Sequence, residues 1–487
     1  MTGGARQRWL ALLVLCLGDL MIVLDVTIVN VALPSIREDL DFSEASLAWV
    51  VNAYLLTFGG FLLLGGRAGD LFGGRRVFLL GISLFTLASL ACGVATSQAF
   101  LVTARAVQGL GGAVVAAVAL SLIMTLFTEP ADRAKAMGVF GFVASGGGSI
   151  GVVAGGVLTD TLDWHWIFLV NLPIGVLVFA LCLRLLPASQ AAERRDRVDV
   201  AGAVTVTSAL MLAVYAIVNA NEAGWGSAQT IGLLAGSAAL LAVFLAIEAR
   251  VRAPLVPLGL FRLRNVASAN VLAVLLASSM FGWFFLSALY LQRVLGYSPL
   301  EVGLAYLPAT LMIGGFSLGL SAKVVMRFGI RLPLVVGFGL FAVGLLLFAR
   351  APADGTFVVD VLPGMLLVGL GGGISFNPLL LAAMGDVEPT DAGLASGLVN
   401  TTQMMGGALG LAVLASLAAA RTDTLLSAGD TATSALTGGY HAAFLAGAAF
   451  GALGVVVASV LVRAAMAPAG EQGDLEALEE QVESRAA

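Results

Sequence analysis

Residues 65–76 read GGRAGDLFGGRR, a short, glycine-rich and strongly charged stretch between two long apolar runs. Its centre, Phe72-Gly73-Gly74-Arg75, is matched 256 positions later by Phe328-Gly329-Ile330-Arg331. A second match lies upstream, where Leu40-Asp41-Phe42-Ser43 and Leu295-Gly296-Tyr297-Ser298 each follow an apolar segment, 255 positions apart. Two matches at nearly one offset predict an internal duplication, with about six hydrophobic segments in each copy.

The composition indicates that the chain lies in a membrane. Of its 487 residues, 59% are hydrophobic and only 11% are charged, whereas a soluble domain carries about 25% charged residues. Apolar runs of about 20 residues recur, each long enough to cross a ~30 Å hydrocarbon core. The 60 glycines suit close contact between helices. Three cysteines lie inside apolar runs and are predicted to be buried packing residues, not disulfides or metal ligands: Cys16, Cys92 and Cys182.

We therefore predict an all-α integral membrane protein with fourteen spans. They lie near 9–33, 47–66, 77–96, 100–127, 135–159, 165–186, 200–219, 228–248, 266–292, 302–325, 332–350, 357–384, 392–420 and 440–463. With both termini in the cytoplasm, twenty of the 25 basic residues fall on the cytoplasmic side, and only Arg37, Arg293, Arg350 and Arg421 fall outside. That asymmetry is the positive-inside pattern, and one missed or invented span would destroy it.

The repeat then divides the chain into parts. Residues 1–190 and 265–464 are predicted to form two six-helix bundles. Residues 191–264 hold cytoplasmic linkers and an extra pair of helices, and residues 465–487 form an acidic tail that we expect to be solvated in the cytoplasm.

Several motifs resemble those of one transporter family. The loop residues Gly66, Asp70, Gly73, Arg75 and Arg76 resemble the loop signature of the major facilitator superfamily. Three further stretches resemble its fourteen-span drug:proton antiporters: Leu24-Asp25-Val26-Thr27-Ile28-Val29-Asn30-Val31-Ala32-Leu33-Pro34, Arg105-Ala106-Val107-Gln108-Gly109 and Trp164-His165-Trp166-Ile167-Phe168 with Asn171-Leu172-Pro173. The resemblance implies the major facilitator fold of two six-helix bundles, here with two extra transmembrane helices.

The fifth span has a glycine face typical of the antiporters in this family. Gly147, Gly151, Gly155 and Gly156 form it, but Val152 stands where the family motif has a proline. The resemblance implies that this face packs against a helix of the opposite half and seals the cavity, which accompanies export. Runs of small residues occur in many membrane helices, so the glycines alone indicate only close packing.

Three ionisable residues lie deep inside predicted spans, where each costs about 2.5–3.5 kcal/mol on insertion scales. Counted at 1.5 Å per residue from the outer ends of their spans, Asp25 lies roughly 12 Å deep, Arg105 roughly 8 Å and Asp19 roughly 21 Å. Asp25 and Arg105 lie at comparable depth, and the resemblance implies that both of their helices line the cavity, so they can pair directly or through Gln108. Burial disfavours a charged carboxylate and a nearby arginine favours it, so we predict that Asp25 is the proton-coupling acid and Arg105 its charge partner. The alternative is a static ion pair.

Asp19 is either a second titrating or cation-attracting site or a carboxyl that stays protonated.

The loop motif has a mechanical interpretation. In the family fold, the carboxylate that corresponds to Asp70 contacts the amino terminus of the helix corresponding to span thirteen, which Pro389-Thr390-Asp391 opens here. A helix amino terminus attracts an anion, so this contact would stabilise the outward-open state. The alternative is that the charges only determine topology.

Polar and adaptable apolar side chains inside the spans are candidates for substrate contact. They are Asn52, Gln108, Trp283, Phe284, Asn377, Asn400, Gln403 and Met404. Each could equally be a packing residue. The carboxyl-terminal half has no acid deep in its spans, which favours neutral or weakly cationic substrates.

The predicted function is proton-coupled antiport that exports lipophilic or amphipathic small molecules, such as drugs and antibiotics, across a bacterial cytoplasmic membrane. Alternatives are a dedicated exporter of one metabolite or lipid, a proton-coupled uptake symporter, and a non-transporting sensor or scaffold. The sequence has no nucleotide-binding loop. We therefore expect a monomeric secondary transporter, not an enzyme, that uses the proton gradient and needs neither a cofactor nor a metal. Its expected partners are the substrate, protons and the lipid bilayer, and not nucleic acid.

Overall fold

The computed structural model describes residues 2–186, 199–251, 254–385, 387 and 392–462, and the regular structure within these ranges is helical. The helices are α1 (Thr2–Leu40), α2 (Trp49–Phe72), α3 (Gly74–Cys92), α4 (Gln98–Leu126), α5 (Pro130–Thr161), α6 (Trp166–Leu169), α7 (Asn171–Leu185), α8 (Val200–Ala223), α9 (Ala228–Glu248), α10 (Arg264–Arg293), α11 (Pro299–Ala305), α12 (Leu307–Gly315), α13 (Ser321–Phe328), α14 (Arg331–Phe348), α15 (Leu362–Met384), α16 (Ala392–Ser427) and α17 (Ala432–Leu461). Short 3₁₀ segments cover Ser46–Ala48 and Leu258–Arg262, and π-helical segments cover Phe316–Leu320 and Phe357–Val361. The predicted acidic tail and the linker residues 191–198 lie outside the described residues.

Thirteen helical stretches in the described part are long and apolar enough to cross a bilayer. The tenth predicted span, 302–325, is not among them because it is divided into α11, α12, a π-helical segment and α13. Pro308 lies in the first turn of α12, where its missing N–H interrupts the helix that α11 begins. The structure therefore shows an all-helical membrane protein with thirteen candidate spans, and the count of fourteen stays a prediction.

The two motif pairs have the same local structure in both copies. Gly73 follows α2 with φ 92°, and Gly329 follows α13 with φ 70°, so one left-handed glycine makes each turn. Upstream, Asp41 and Gly296 both have positive φ, 55° and 73°. Two sequence matches thus correspond to two equivalent turns.

The arginines of the repeat also make equivalent contacts. Arg75 Nη2 donates to Leu183 O at 2.5 Å, near the end of α7. Arg331 donates to the carbonyl of Ser459, near the end of α17. Each arginine therefore caps free carbonyls of the last helix in its own half.

Helix pairing is also repeated. In the first half α1 packs on α5 and α4 packs on α2 and α3, and in the second half α10 packs on α16 and α15 packs on α12 and α14. The extra helix α8 contacts α2 and α16, one from each half, while α9 packs on α8. The approach of α8 to α2 requires Gly60, because a Cβ there would lie 1.8 Å from Thr207 Oγ1.

The two halves are joined at the end of the bundle that the charge pattern places outside, which we call the outer end. There Glu44 accepts from Arg293 and, at 3.3 Å, from Arg37 Nη2. Gln292 Nε2 donates to Val31 O at 2.8 Å. At the opposite, inner end a cavity is lined by residues of both halves, among them Arg67 of α2 and Leu394 of α16, so the halves are joined at the outer end and separated by a cavity at the inner end.

Candidate functional site

A buried hydrogen-bond network joins Asp25 of α1 to Arg105 and Gln108 of α4. Arg105 Nη1 contacts Asp25 Oδ2 directly and donates to Gln108 Oε1 at 2.7 Å. Gln108 Nε2 donates to Asp25 Oδ1 at 2.6 Å. The direct pairing and the pairing through Gln108 are thus both present, because Arg105 and Gln108 lie three residues apart on one face of α4.

Two further residues complete the network from other helices. Asn171, the first residue of α7, donates through Nδ2 to Asp25 Oδ1 at 3.1 Å and to Ser89 Oγ at 3.0 Å. Ser89 of α3 also accepts from Gln108 Nε2 and donates to Phe168 O. Every group that contacts the Asp25 carboxyl is therefore a donor, as an ionised carboxylate requires.

Arg105 is held on its other side as well. Its Nε donates to Val50 O at 3.0 Å, and its guanidinium carbon lies 4.4 Å from the Tyr54 ring centre and 5.5 Å from that of Phe168. The side chains of Arg105 and Asp25 are 1% and 0% exposed. A charge this deeply buried is stable only when it is paired and hydrogen-bonded, and this arrangement supplies both.

The central cavity lies next to this network without containing it. Its volume is about 520 Å³, and α1, α2, α4, α5 and α16 supply the described lining residues. Asp19 lines it, one and a half turns before Asp25 on α1, together with Gly66 and Arg67 of α2. Asp19 is only 8% exposed. The two acids of α1 therefore differ in surroundings, because Asp19 reaches the cavity and Asp25 is sealed among donors.

The predicted substrate residues divide between this cavity and the packed interior. Asn400 and Met404 line the cavity with Asp19. Trp283 packs against Phe284 and Tyr306, with ring centres 4.6 and 5.5 Å away, and does not line it. Gln403 is 6% exposed.

The remaining carboxamides are engaged or enclosed elsewhere. Asn377 Nδ2 donates to Ser317 O at 2.7 Å, which satisfies the π-helical segment. Gln108 belongs to the buried network. Asn52 is fully buried, and neither of its amide atoms has a hydrogen-bond partner among the residues that the structure describes.

The predicted packing partner of the glycine face, a helix of the opposite half, was wrong. Gly147, Gly151 and Gly155 pack against α1 of the same half, where a Cβ at Gly155 would lie 2.7 Å from Ile28 O. Contact with the opposite half falls to Gly156, whose Cβ would lie 2.7 Å from Pro299 O, and to Gly303, whose Cβ would lie 2.6 Å from Val152 O. Residues spaced by four lie on one helix face, and α1 occupies that face here. The helix α5 continues through Val152 without interruption.

The loop motif is only partly described. Gly66 lines the central cavity, Gly73 makes the turn and Arg75 caps α7, whereas Arg76 lies in the first turn of α3. Asp70 lies within α2, but its side chain and residues 388–391 are outside what the structure describes. The predicted contact between Asp70 and the amino terminus of α16 therefore stays a prediction.

Sequence reasoning missed Ser89, Asn171 and the ring of Tyr54. Each is a polar side chain inside an apolar run, which was the available signal, and Asn171 lies in a stretch that was noted only for its resemblance. Their convergence on Asp25 depends on how five helices are rotated about their axes, which spacing along the chain does not reveal.

Known proteins match the chain along most of its length. The pattern of the Major Facilitator Superfamily matches residues 15–411. The puromycin resistance protein pur8 of Streptomyces alboniger is 40% identical over 97% of this chain and 94% of its own. The cephamycin export protein CmcT of Amycolatopsis lactamdurans is 42% identical over 83% of this chain and 84% of its own. The lincomycin resistance protein of Streptomyces lincolnensis is 37% identical over 85% of each.

Solved structures share the fold at low identity. The nucleoside transporter NupG has a TM-score of 0.68 at 12% identity, covering 93% of this chain and all of that one. A bacterial homologue of the human lysosomal transporter Spinster, in an inward-facing state, has a TM-score of 0.65 at 16% identity, covering 95% and 99%.

Proposed function

This chain belongs to the Major Facilitator Superfamily and is a multi-pass membrane transporter, not an enzyme, and we propose that it exports lipophilic small molecules of the antibiotic type. Relatives that cover 83% to 97% of its length are named for resistance to, or export of, puromycin, cephamycin and lincomycin. The observation that carries the proposal is the inner cavity, whose described lining is largely apolar with one carboxylate, Asp19, and one guanidinium, Arg67, at its inner end. Such a cavity suits an amphipathic molecule that is neutral or weakly cationic.

Export is driven by protons that Asp25 accepts and releases. In the inward-open state the carboxylate accepts from Arg105, Gln108 and Asn171. A proton on Asp25 adds a fourth donor to this group, so one existing donor must turn away. The buried Oδ1 of Asn171 has no partner among the described residues, and rotation of that amide would present it to the protonated carboxyl.

This exchange links proton binding to helix movement. The donors lie on α4 and α7 and the acceptor on α1. A proton that neutralises Asp25 also removes its charge attraction to Arg105, which weakens the packing of α1 on α4. The outer contacts of Glu44 and of Gly156 then separate as the halves rock around the central cavity. The complete transporter has fourteen spans with cytoplasmic termini, acts as a monomer in the bacterial cytoplasmic membrane and uses no cofactor besides the proton gradient.

The test is transport by the purified chain in proteoliposomes with an imposed pH gradient and an internal pH dye. A panel of lipophilic cations and neutral drugs, puromycin among them, is added on the cavity side. Proton movement opposite to the substrate, absent in Asp25→Asn, is expected. Movement in the same direction would instead mean uptake, and response to a single compound alone would mean a dedicated exporter.

A further inference from the structure

A second cavity, which we call the side pocket, lies on the other face of α16 from the central cavity. Its volume is about 200 Å³. It is enclosed by α2, α8, α9, α16 and the segment 255–261, and its lining includes Leu63, Val206, Phe244, Phe261, Thr401 and Met405. The helix α16 thus presents Asn400 and Met404 to one cavity and Thr401 and Met405 to the other.

The side pocket is apolar with one unsatisfied polar group. None of its described lining residues is charged. Thr401 is 7% exposed, and its Oγ1 has no hydrogen-bond partner within the described part of the chain. A buried hydroxyl without a partner is unfavourable. The pocket therefore suits an apolar body that carries one hydrogen-bonding group, and its volume of about 200 Å³ suits the apolar part of a drug-sized molecule.

The lining of the side pocket includes exposed apolar side chains, which suit contact with lipid. Leu245 and Phe261 at the rim are 45% and 39% exposed, and both are apolar. Leu245 lies in the last turn of α9, which ends at Glu248 on the inner end of the bundle. A molecule dissolved in the inner leaflet can reach the pocket without passing through water.

Hydrogen bonds connect the segment beneath the side pocket to the loop motif of α2. Glu248 Oε2 accepts from Val256 N at 3.0 Å, which holds the segment beneath the pocket. Arg67 of α2, which lines the central cavity, donates through Nη2 to Pro254 O at 3.4 Å. The segment beneath the side pocket is therefore hydrogen-bonded to a residue that lines the central cavity.

We propose that the side pocket is a second binding site, which takes the lipophilic substrate from the inner leaflet before it crosses into the central cavity beside Leu63. Leu63 lines both cavities, and it packs against α16 at Gly397, where a Cβ would lie 2.7 Å from Leu63 Cδ2. In this proposal the substrate crosses where the Leu63 side chain moves aside. An acyl chain has no group that can pair with the Thr401 hydroxyl, whereas an amphipathic substrate can carry one, so we assign the pocket to the substrate. This inference rests on the export function proposed above.

The test is photolabelling of the full-length chain in liposomes with an octanol that carries a diazirine group, followed by mass spectrometry of the peptides. Adducts are expected within residues 244–261 and 398–405. Val206→Trp fills the pocket and should remove them. Val204→Trp places the same ring on the exposed side of α8, where Val204 is 46% exposed, and should leave them unchanged. Thr401→Val removes the hydroxyl and should weaken octanol binding about threefold to tenfold.

Competition distinguishes the substrate from lipid. A neutral compound that the protein transports should displace the octanol, and short-chain phosphatidylcholine at the same concentration should not. Displacement by the phospholipid alone, or equal labelling of Val206→Trp and Val204→Trp, would overturn the proposal. Labelling needs neither turnover nor a pH gradient, so its failure would leave proton-driven export standing. Normal labelling in a protein that moves no protons would refute only the proposed function.

Discussion

Neutralising Asp25 separates its structural role from its role in coupling. In Asp25→Asn the Arg105 guanidinium stays 1% exposed but loses its only anionic contact among the described residues. Breaking a buried ion pair by removing one partner costs about 3–5 kcal/mol. Here Gln108 Oε1, Val50 O and the Tyr54 ring still contact the cation, and Asn at position 25 retains a carbonyl. We therefore expect a loss near the lower limit, about 3 kcal/mol.

A second substitution isolates the charge. In Asp25→Asn with Arg105→Gln the stranded cation is gone, so most of the lost stability should return even though the network is altered. Stability is measured by thermal melting of the detergent-solubilised protein, followed by intrinsic fluorescence. Transport is measured in the same preparation with the internal pH dye. Neither variant should move protons with substrate.

Asp19→Asn is the matched control, since it neutralises the other acid of α1. Asp19 lines the central cavity, so this variant should keep proton movement with neutral compounds and lose affinity for cationic ones. Substrate-dependent proton movement that survives Asp25→Asn would refute the coupling mechanism. A melting temperature equal to the wild type would refute the claim that Arg105 depends on Asp25.

Three further predictions concern packing, the outer end and the repeat. Gly155→Ala should impair folding and transport because its Cβ would lie 2.7 Å from a backbone oxygen. The control Gly138→Ala, whose Cβ would meet nothing within 4 Å, should be neutral or stabilise the helix by up to about 1 kcal/mol. The melting temperatures of the two variants are compared. Glu44→Gln removes the charge that Arg293 contacts, and this partly exposed ion pair contributes at most about 1 kcal/mol. The fraction of outward-open molecules should therefore rise up to about fivefold, as measured from spin-label distances across the outer end. An unchanged distance distribution would contradict this role of Glu44. Gly73→Ala forces a side chain into φ 92° and should cost roughly 1 kcal/mol in melting experiments, and an unshifted melting temperature would show that the turn relaxes.

The sequence by itself determined the class of the protein and much of its plan. Apolar segments of membrane length and the distribution of arginines depend only on local hydrophobicity and charge, so they can be read without knowing which helices touch. The same holds for the repeat, because each glycine turn is a local backbone feature. The pairing of Asp25 with Arg105 was predicted from their comparable depth together with the resemblance, which implies that both helices line the cavity, since buried charges in a low-dielectric interior have few other partners.

Only the tertiary structure decided what surrounds each side chain. The depth of Asp19 did not reveal that it reaches the central cavity while Asp25 is enclosed by donors from two other helices, α4 and α7. The spacing of Gly147, Gly151 and Gly155 predicted one close-packed face, but not that α1 would occupy it. Residues far apart in sequence meet according to the rotation of each helix about its own axis, and that rotation is selected by packing across the whole bundle. The side pocket exists for the same reason, because α8 and α9 create it only where they meet both halves.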